Sequence, residues 1–148
     1  MDNRQAFLDL IAFSEGTANK GDDGYNVIVG GTLFKSYKDH PRKLVHLPAL
    51  NINSTAAGRY QVLARFFDFY KAMLKLPDFS PESQDAIALQ QIKECHALDD
   101  IDTGNIAEAI KKCKNIWASF PGAGYGQYEQ HLDILLSEFV KLGGIVNA

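Results

Sequence analysis

Apolar residues recur at helical spacing along most of this chain and alternate with a period of two in only one stretch. Counting back from Glu15 by one and two turns meets Ala12, Ile11 and Leu8, so Arg4 to Glu15 is expected to be a helix with that carboxylate on its core-facing stripe. Gly16 then reads as the glycine that ends it. Residues 17 to 24, rich in Gly, Asp, Asn and Lys, form a loop. Tyr25, Val27 and Val29 alternate with Asn26 and Ile28 up to the turn pair Gly30-Gly31, and Thr32 to Tyr37 read as the return strand of a β-hairpin. No phosphate-cradling glycine pattern accompanies that pair. Residues 38 to 57, with Pro41, Pro48 and the polar run Asn51-Ile52-Asn53-Ser54-Thr55, make a loop of the length that is usually functional.

The second half is helical. From Ala57 to about Lys75, Val62, Leu63, Phe66, Phe67, Tyr70, Met73 and Leu74 keep helical spacing, with Ser54 or Thr55 available to cap the start. Ser80-Pro81 is an N-cap followed by a first-turn proline, opening a helix through Ile87 and Ile92 to about Cys95. Asn105 with Glu108 suggests a capping box for a helix carrying Ile106, Ala109, Ile110, Cys113, Ile116 and Trp117. The glycines of Pro121-Gly122-Ala123-Gly124-Tyr125-Gly126-Gln127 break it. A last helix, about Tyr128 to Leu142, packs through Leu132, Leu135, Leu136 and Phe139 and stops at Gly143-Gly144.

With 148 residues, 46% hydrophobic and 22% charged, the chain is expected to form one globular domain, which excludes the disordered and fibrous classes. A net charge of −3 supplies no field for nucleic acid, and His40-Pro41-Arg42-Lys43, the densest basic cluster, reads as loop or surface. The apolar stretch Phe7 to Phe13 is interrupted by Asp9 and lacks the flanks of a signal peptide, so synthesis and retention in the cytoplasm are expected. Cys95 and Cys113 are read as reduced thiols, a bridge between neighbouring helices being the alternative. His40, His46, His96 and His131 are dispersed, so neither a metal nor another cofactor is expected.

Three segments are unusual for scaffolding. Desolvation on the apolar stripe and the negative end of a helix dipole both disfavour an anion at Glu15, which predicts a raised pKa and a proton donor. A carboxyl that snorkels to water is the other reading, and helix geometry leaves both open. Tyr60 with Gln61, and Tyr125 with Gln127, offer ring faces and amide or hydroxyl groups of the kind that sugar rings and acetamides require. A core Tyr60, a solvated Gln61 and a flexible linker would account for the same residues without a ligand.

Taken together, Ser14-Glu15-Gly16-Thr17, Gly24-Tyr25-Asn26-Val27-Ile28-Val29-Gly30-Gly31, Asp39-His40-Pro41-Arg42-Lys43-Leu44-Val45, Ala57-Gly58-Arg59-Tyr60-Gln61, Ser80-Pro81-Glu82-Ser83-Gln84-Asp85-Ala86 and Ala118-Ser119-Phe120-Pro121-Gly122-Ala123-Gly124-Tyr125-Gly126-Gln127 closely resemble the lambda-type phage endolysins in order and most spacings. The resemblance implies an α+β, lysozyme-like fold, mostly helical with one small antiparallel hairpin sheet and a sugar-binding cleft between two mobile loops, here roughly Leu47 to Gly58 and Pro121 to Gln130. It implies cleavage of peptidoglycan between N-acetylmuramic acid and N-acetylglucosamine, with Glu15 as the single catalytic acid. Ser14, Thr17, Tyr60, Gln61, Tyr125 and Gln127 are then the expected substrate-binding residues. The loop between Thr17 and Gly24 is shorter than in that family, and Ala56 stands where the family has glycine.

With that single carboxylate the resemblance implies the lytic transglycosylase route, in which the muramic acid's own C6 hydroxyl replaces water and a 1,6-anhydro sugar is left. The rival is hydrolysis with Asp22 or Asp23 as base. A non-catalytic peptidoglycan-binding module and a peptide-cutting amidase are readings from other classes, and the amidase would need a metal or a Cys/His pair. A monomer with no nucleic-acid partner is expected, and the resemblance implies release from the host cytoplasm to the periplasmic wall through a holin pore.

Overall fold

The computed structural model describes residues 2–124 and 129–147. In chain order its elements are α1 (Asn3–Glu15), β1 (Val45–Leu47), β2 (Ile52–Ser54), α2 (Ala64–Leu74), α3 (Pro81–Glu94), α4 (Leu98–Asp102), α5 (Ile106–Cys113) and α6 (Leu132–Lys141). They fall into two compact units, one made of Met1–Glu15 with Leu89–Ala148 and the other of Gly16–Ala88.

In the first unit α1 is the hub. Its apolar residues Ala6, Phe7, Leu8, Leu10, Ile11 and Ala12 are all buried, and it packs against α4 and α6 while α5 bridges those two helices. Phe7 meets Phe120 edge to face at 6.1 Å, and the Trp117 ring lies tilted against Phe120, also at 6.1 Å. Each such ring taken wholly out of water contributes roughly 1.5–3 kcal/mol. The polar start of α1 also serves the fold, because the Asn3 side chain donates to Ile101 O (2.9 Å) and accepts from the Ile145 amide (2.9 Å), tying α4 and the C-terminal segment to the helix. Cys95 and Cys113 are both free thiols.

This unit differs from the sequence expectation in its helices: α4 is not foreseen, and α6 begins at Leu132 rather than near Tyr128. Asn105 precedes α5 but forms no capping box, since its side-chain amide donates to Asp100 Oδ1 (3.3 Å) instead. The helix also ends at Cys113, with Trp117 carried by the turn that follows. Helix α6 stops where expected. The Gly143 amide bonds to Val140 O and the Gly144 amide to Phe139 O, closing the helix at its glycine pair. A Cβ on Gly144 would run into the fully buried Phe139 ring, so Gly144→Ala is expected to cost about 1–3 kcal/mol in urea unfolding. An unchanged midpoint would show that the ring has room to move.

The second unit has its own core, built from Ile28, Phe34, Ala57, Val62, Phe67, Tyr70, Phe79 and Ile87. Its antiparallel sheet is β1–β2, with Val45 opposite Ser54 and Leu47 opposite Ile52, inside the segment expected to be loop. Residues 25–37 do turn back at Gly30-Gly31, but they form no strands. The reason lies in the backbone bonds of 26–29: Ile28 N bonds to Thr32 O, whereas Val29 N goes to Ala56 O and Gly58 N comes to Val27 O. Shared between two partners, the segment makes single bridges, Val27 to Leu33 and Ile28 to Ala57, rather than a ladder.

The same contacts delay α2. Ala57 and Val62 exchange both backbone hydrogen bonds around the tight turn Gly58-Arg59-Tyr60-Gln61, so the helix begins at Ala64 rather than at Ala57. Thr55 still caps it, accepting the Ala64 amide on Oγ1 (3.0 Å) from nine residues upstream. At the other end of the unit Ser80 receives the Ser83 amide on its hydroxyl, as an N-cap before Pro81 should.

Candidate active site

Glu15 closes α1, and Gly16 beyond it takes the left-handed conformation (φ 79°) that ends the helix. The carboxylate is partly buried on the same stripe as Leu8, Ile11 and Ala12. Burial pushes its pKa above the ordinary carboxylate value, and the hydroxyl of Ser119, which donates to Oε2, pulls part of the way back. Behind Ser119 lies Ser14, with the two hydroxyl oxygens 2.7 Å apart and both residues buried. Among the described residues of the first unit, Glu15 is therefore a desolvated acid whose hydrogen-bond partner is the neutral Ser119 hydroxyl, with no ion pair to it.

Downstream of this acid comes the glycine-rich loop. Glu129 accepts the Gly122 amide on Oε1 and the Gly124 amide on Oε2, both at 2.9 Å, and these backbone donors hold its carboxyl below the usual range. The carboxylate thus staples the described flanks of the loop. Tyr125 and Gln127, expected to bind substrate, lie outside the described residues. Gln130 N also bonds to Ser119 O (2.7 Å), so the end of this loop and the serine beside Glu15 are one hydrogen-bonded piece.

The second unit carries the other expected site residues, organised around Arg59. Its guanidinium lies 5.3 Å from the Tyr25 ring centre and 5.7 Å from that of Tyr60. The same group donates to Asp23 O (2.9 Å) and pairs with Asp23 Oδ2 (3.3 Å). The Arg59 amide is received by Gln84 Oε1, while the Gln84 amide group donates to Tyr25 O and Phe79 O. Asp85 accepts from Tyr25 (2.9 Å) and from Tyr60 (2.6 Å), and burial with this anion beside them raises both phenol pKa values. Gly58 is required at this corner twice over, by its φ of 86° and because a Cβ would strike the Gln84 side chain.

Several residues expected to touch substrate are buried or half-buried. Tyr60 is 5% exposed with its hydroxyl on Asp85, Thr17 is 2% exposed with its hydroxyl on Arg59 O (2.6 Å), and Ser14 is 5% exposed beside Ser119. In this structure the hydroxyls of all three are hydrogen-bonded within the protein. Gln61 is half-buried at a φ of 55°, and its amide donates to Gly58 O (2.9 Å) and Val27 O (3.3 Å). Asp22 and Asp23 are exposed and hydrogen-bonded within the second unit, with Asp22 accepting from Tyr37 (2.8 Å) and Asp23 from the Asn19 amide (3.0 Å). Sequence reasoning missed Ser119, although it stands in one of the motifs that carried the resemblance. It missed Glu129 and Asp85 as well.

Known proteins match nearly the whole length of the chain. A family model described as Endolysin matches residues 5–146. The endolysin of Escherichia phage lambda is 58% identical, the match covering 97% of this chain and 92% of that protein. The endolysin of Escherichia phage P2 is 50% identical, over 97% of this chain and 94% of that one. Among solved structures, the bacteriophage lambda lysozyme complexed with a chitohexasaccharide superimposes with a TM-score of 0.95 at 56% identity, covering 99% of this chain and 97% of that one. A second structure of lysozyme from bacteriophage lambda gives a TM-score of 0.91.

Proposed function

The chain belongs to the endolysin family, and from that premise we propose that it cuts the glycan strands of bacterial peptidoglycan with Glu15 as its only acid–base group. The observation that carries this reading is the state of Glu15: a carboxyl on an apolar helix stripe, raised in pKa by burial and touched by a hydroxyl. Such a group stays protonated at a higher pH than an ordinary carboxyl and is suited to give its proton to a leaving oxygen. The chitohexasaccharide in the lambda lysozyme complex supports a sugar chain as substrate.

In the reaction proposed, Glu15 protonates the oxygen linking C1 of N-acetylmuramic acid to C4 of N-acetylglucosamine as the C1–O bond breaks. The resulting carboxylate takes the proton of the same muramic residue's C6 hydroxyl while O6 bonds to C1. Glu15 ends protonated again, no water is consumed, and the product pair has the mass of the substrate. An attacking hydroxyl already fixed on the reacting sugar acts at a high effective concentration, so a second carboxylate to activate water is not needed. Asp22 and Asp23, the candidates for such a base, are committed to Tyr37, Asn19 and Arg59. This supports anhydro-sugar formation over hydrolysis.

The test at the level of bond type is digestion of purified peptidoglycan. Fragments with new muramic acid ends and intact peptide cross-links are expected, with activity unaffected by chelators or thiol reagents. New free amino groups without new sugar ends would replace this reading with peptide cleavage. The same proposal has the enzyme reach the wall through a holin pore, so expression without a holin should leave cells intact until the membrane is opened.

A further inference from the structure

An acid that must also act as a base needs hydrogen-bond partners in both protonation states. A fixed cation or backbone amide beside Glu15 would serve the carboxylate alone, whereas a hydroxyl can both donate and accept. The Ser14–Ser119–Glu15 chain is made of such groups, with 2.7 Å between the serine oxygens and the Ser119 hydroxyl directly on Oε2. Both serines are buried, at 5% and 7% exposure, so water does not readily take over their roles. With Glu15 ionised, Ser119 donates to Oε2 and accepts from Ser14. With Glu15 protonated on Oε2 before it meets the sugar, Oε2–H donates to Ser119 Oγ, whose own hydrogen turns to Ser14 Oγ, and with the proton on Oε1 for the leaving oxygen Ser119 goes on donating to Oε2. Both hydrogen bonds survive, every oxygen stays where it is, and only hydroxyl hydrogens rotate.

We propose that Ser119, backed by Ser14, is the positioning residue that lets Glu15 alternate between acid and base without rearrangement of the site. The inference rests on Glu15 being the acid, and Ser119 acts only through it. It gives Ser14 a supporting place behind Ser119. The residues come from distant parts of the chain, Ser14 from the last turn of α1 and Ser119 from the segment after Trp117, so their convergence is a product of the fold of the first unit. The opposing pulls on Glu15, upward from burial and downward from Ser119, are what such an arrangement produces.

The experiment is a carbon-13 NMR titration of the glutamate carboxyls in the whole protein, with Glu15 assigned by the resonance missing from Glu15→Gln, alongside the pH profile of kcat/KM on peptidoglycan. In Ser119→Ala the ionised form loses its donor, so the Glu15 titration and the alkaline limb of the profile should both move up by about one pH unit. Ser14→Ala should move them the same way by less, and Ser119→Thr, which keeps a hydroxyl, should restore them. If Glu15 titrates unchanged in Ser119→Ala and Ser14→Ala while these variants merely unfold more easily, the serines are structural and the proposal is overturned. Failure of the acid assignment reads out separately: Glu15→Gln would then remain lytic whatever the titration shows.

Discussion

Replacing Glu15 with Gln is expected to lower the rate of peptidoglycan cleavage by about 10³-fold while making the folded protein more stable. The loss follows from removing the only group proposed to carry the proton in either direction, since a positioned general acid or base contributes roughly 10²–10⁴-fold. The gain follows from linkage. Glu15 has a pKa raised by burial above its ordinary 4.5, so the folded state resists ionisation more than the unfolded chain does. Its contribution to stability is fully present below about 4.5 and is lost as pH rises through the higher folded value. A neutral glutamine of the same shape does not suffer that loss and can still receive the Ser119 hydroxyl. The melting temperature of the variant should therefore exceed that of the parent at neutral pH, with the gap closing as the pH is lowered. Equal melting temperatures across that range would mean that the carboxylate is better solvated than its place on α1 implies.

Asp85→Ala should destabilise the protein by about 3 kcal/mol or more. One carboxylate oxygen receives the hydroxyls of both Tyr25 and Tyr60, and Tyr60 is buried. Hydrogen bonds to a charged acceptor are worth about 1.5–3 kcal/mol each, and a buried donor left without its acceptor carries a further desolvation cost. The damage would spread, because the two rings flank the Arg59 guanidinium and the Arg59 carbonyl holds Thr17. Asp85→Asn keeps an acceptor oxygen and should cost clearly less. Urea unfolding of both variants checks the ordering, and similar midpoints for the two would show that shape rather than hydrogen bonding sets the stability of this corner.

How much of this was legible in the sequence depends on how far apart the determining residues lie. The helix ending in Glu15 was fully legible, because its apolar period is unbroken and the glycine that stops it is the next residue. The helix opened by Ser80-Pro81 was legible for the same local reason. The hairpin was recognised as an element and misplaced: the apolar alternation of 25–29 suggests a strand, but its backbone groups are divided between residues 32–34 and 56–58. The three-residue strands on either side of Pro48 carry too little alternation to show themselves.

The site divides along the same line. An acid on an apolar helix face can be read from spacing alone, and so can a glycine-rich loop. That Ser119 reaches Glu15 from 104 positions away cannot, since nothing in the period of either segment announces it. Nor does the period around Tyr60 announce that Asp85, 25 positions on, receives its hydroxyl.

The central claim is that one carboxyl suffices because the substrate supplies the nucleophile, and the mass of the product tests this most directly. Purified peptidoglycan would be digested in water enriched in heavy oxygen and the released muropeptides weighed. The account predicts 1,6-anhydro-muramic ends, one water lighter than reducing ends and free of the heavy label. Reducing muramic ends carrying one heavy oxygen would contradict it, showing that water attacks and that a second base acts beside Glu15.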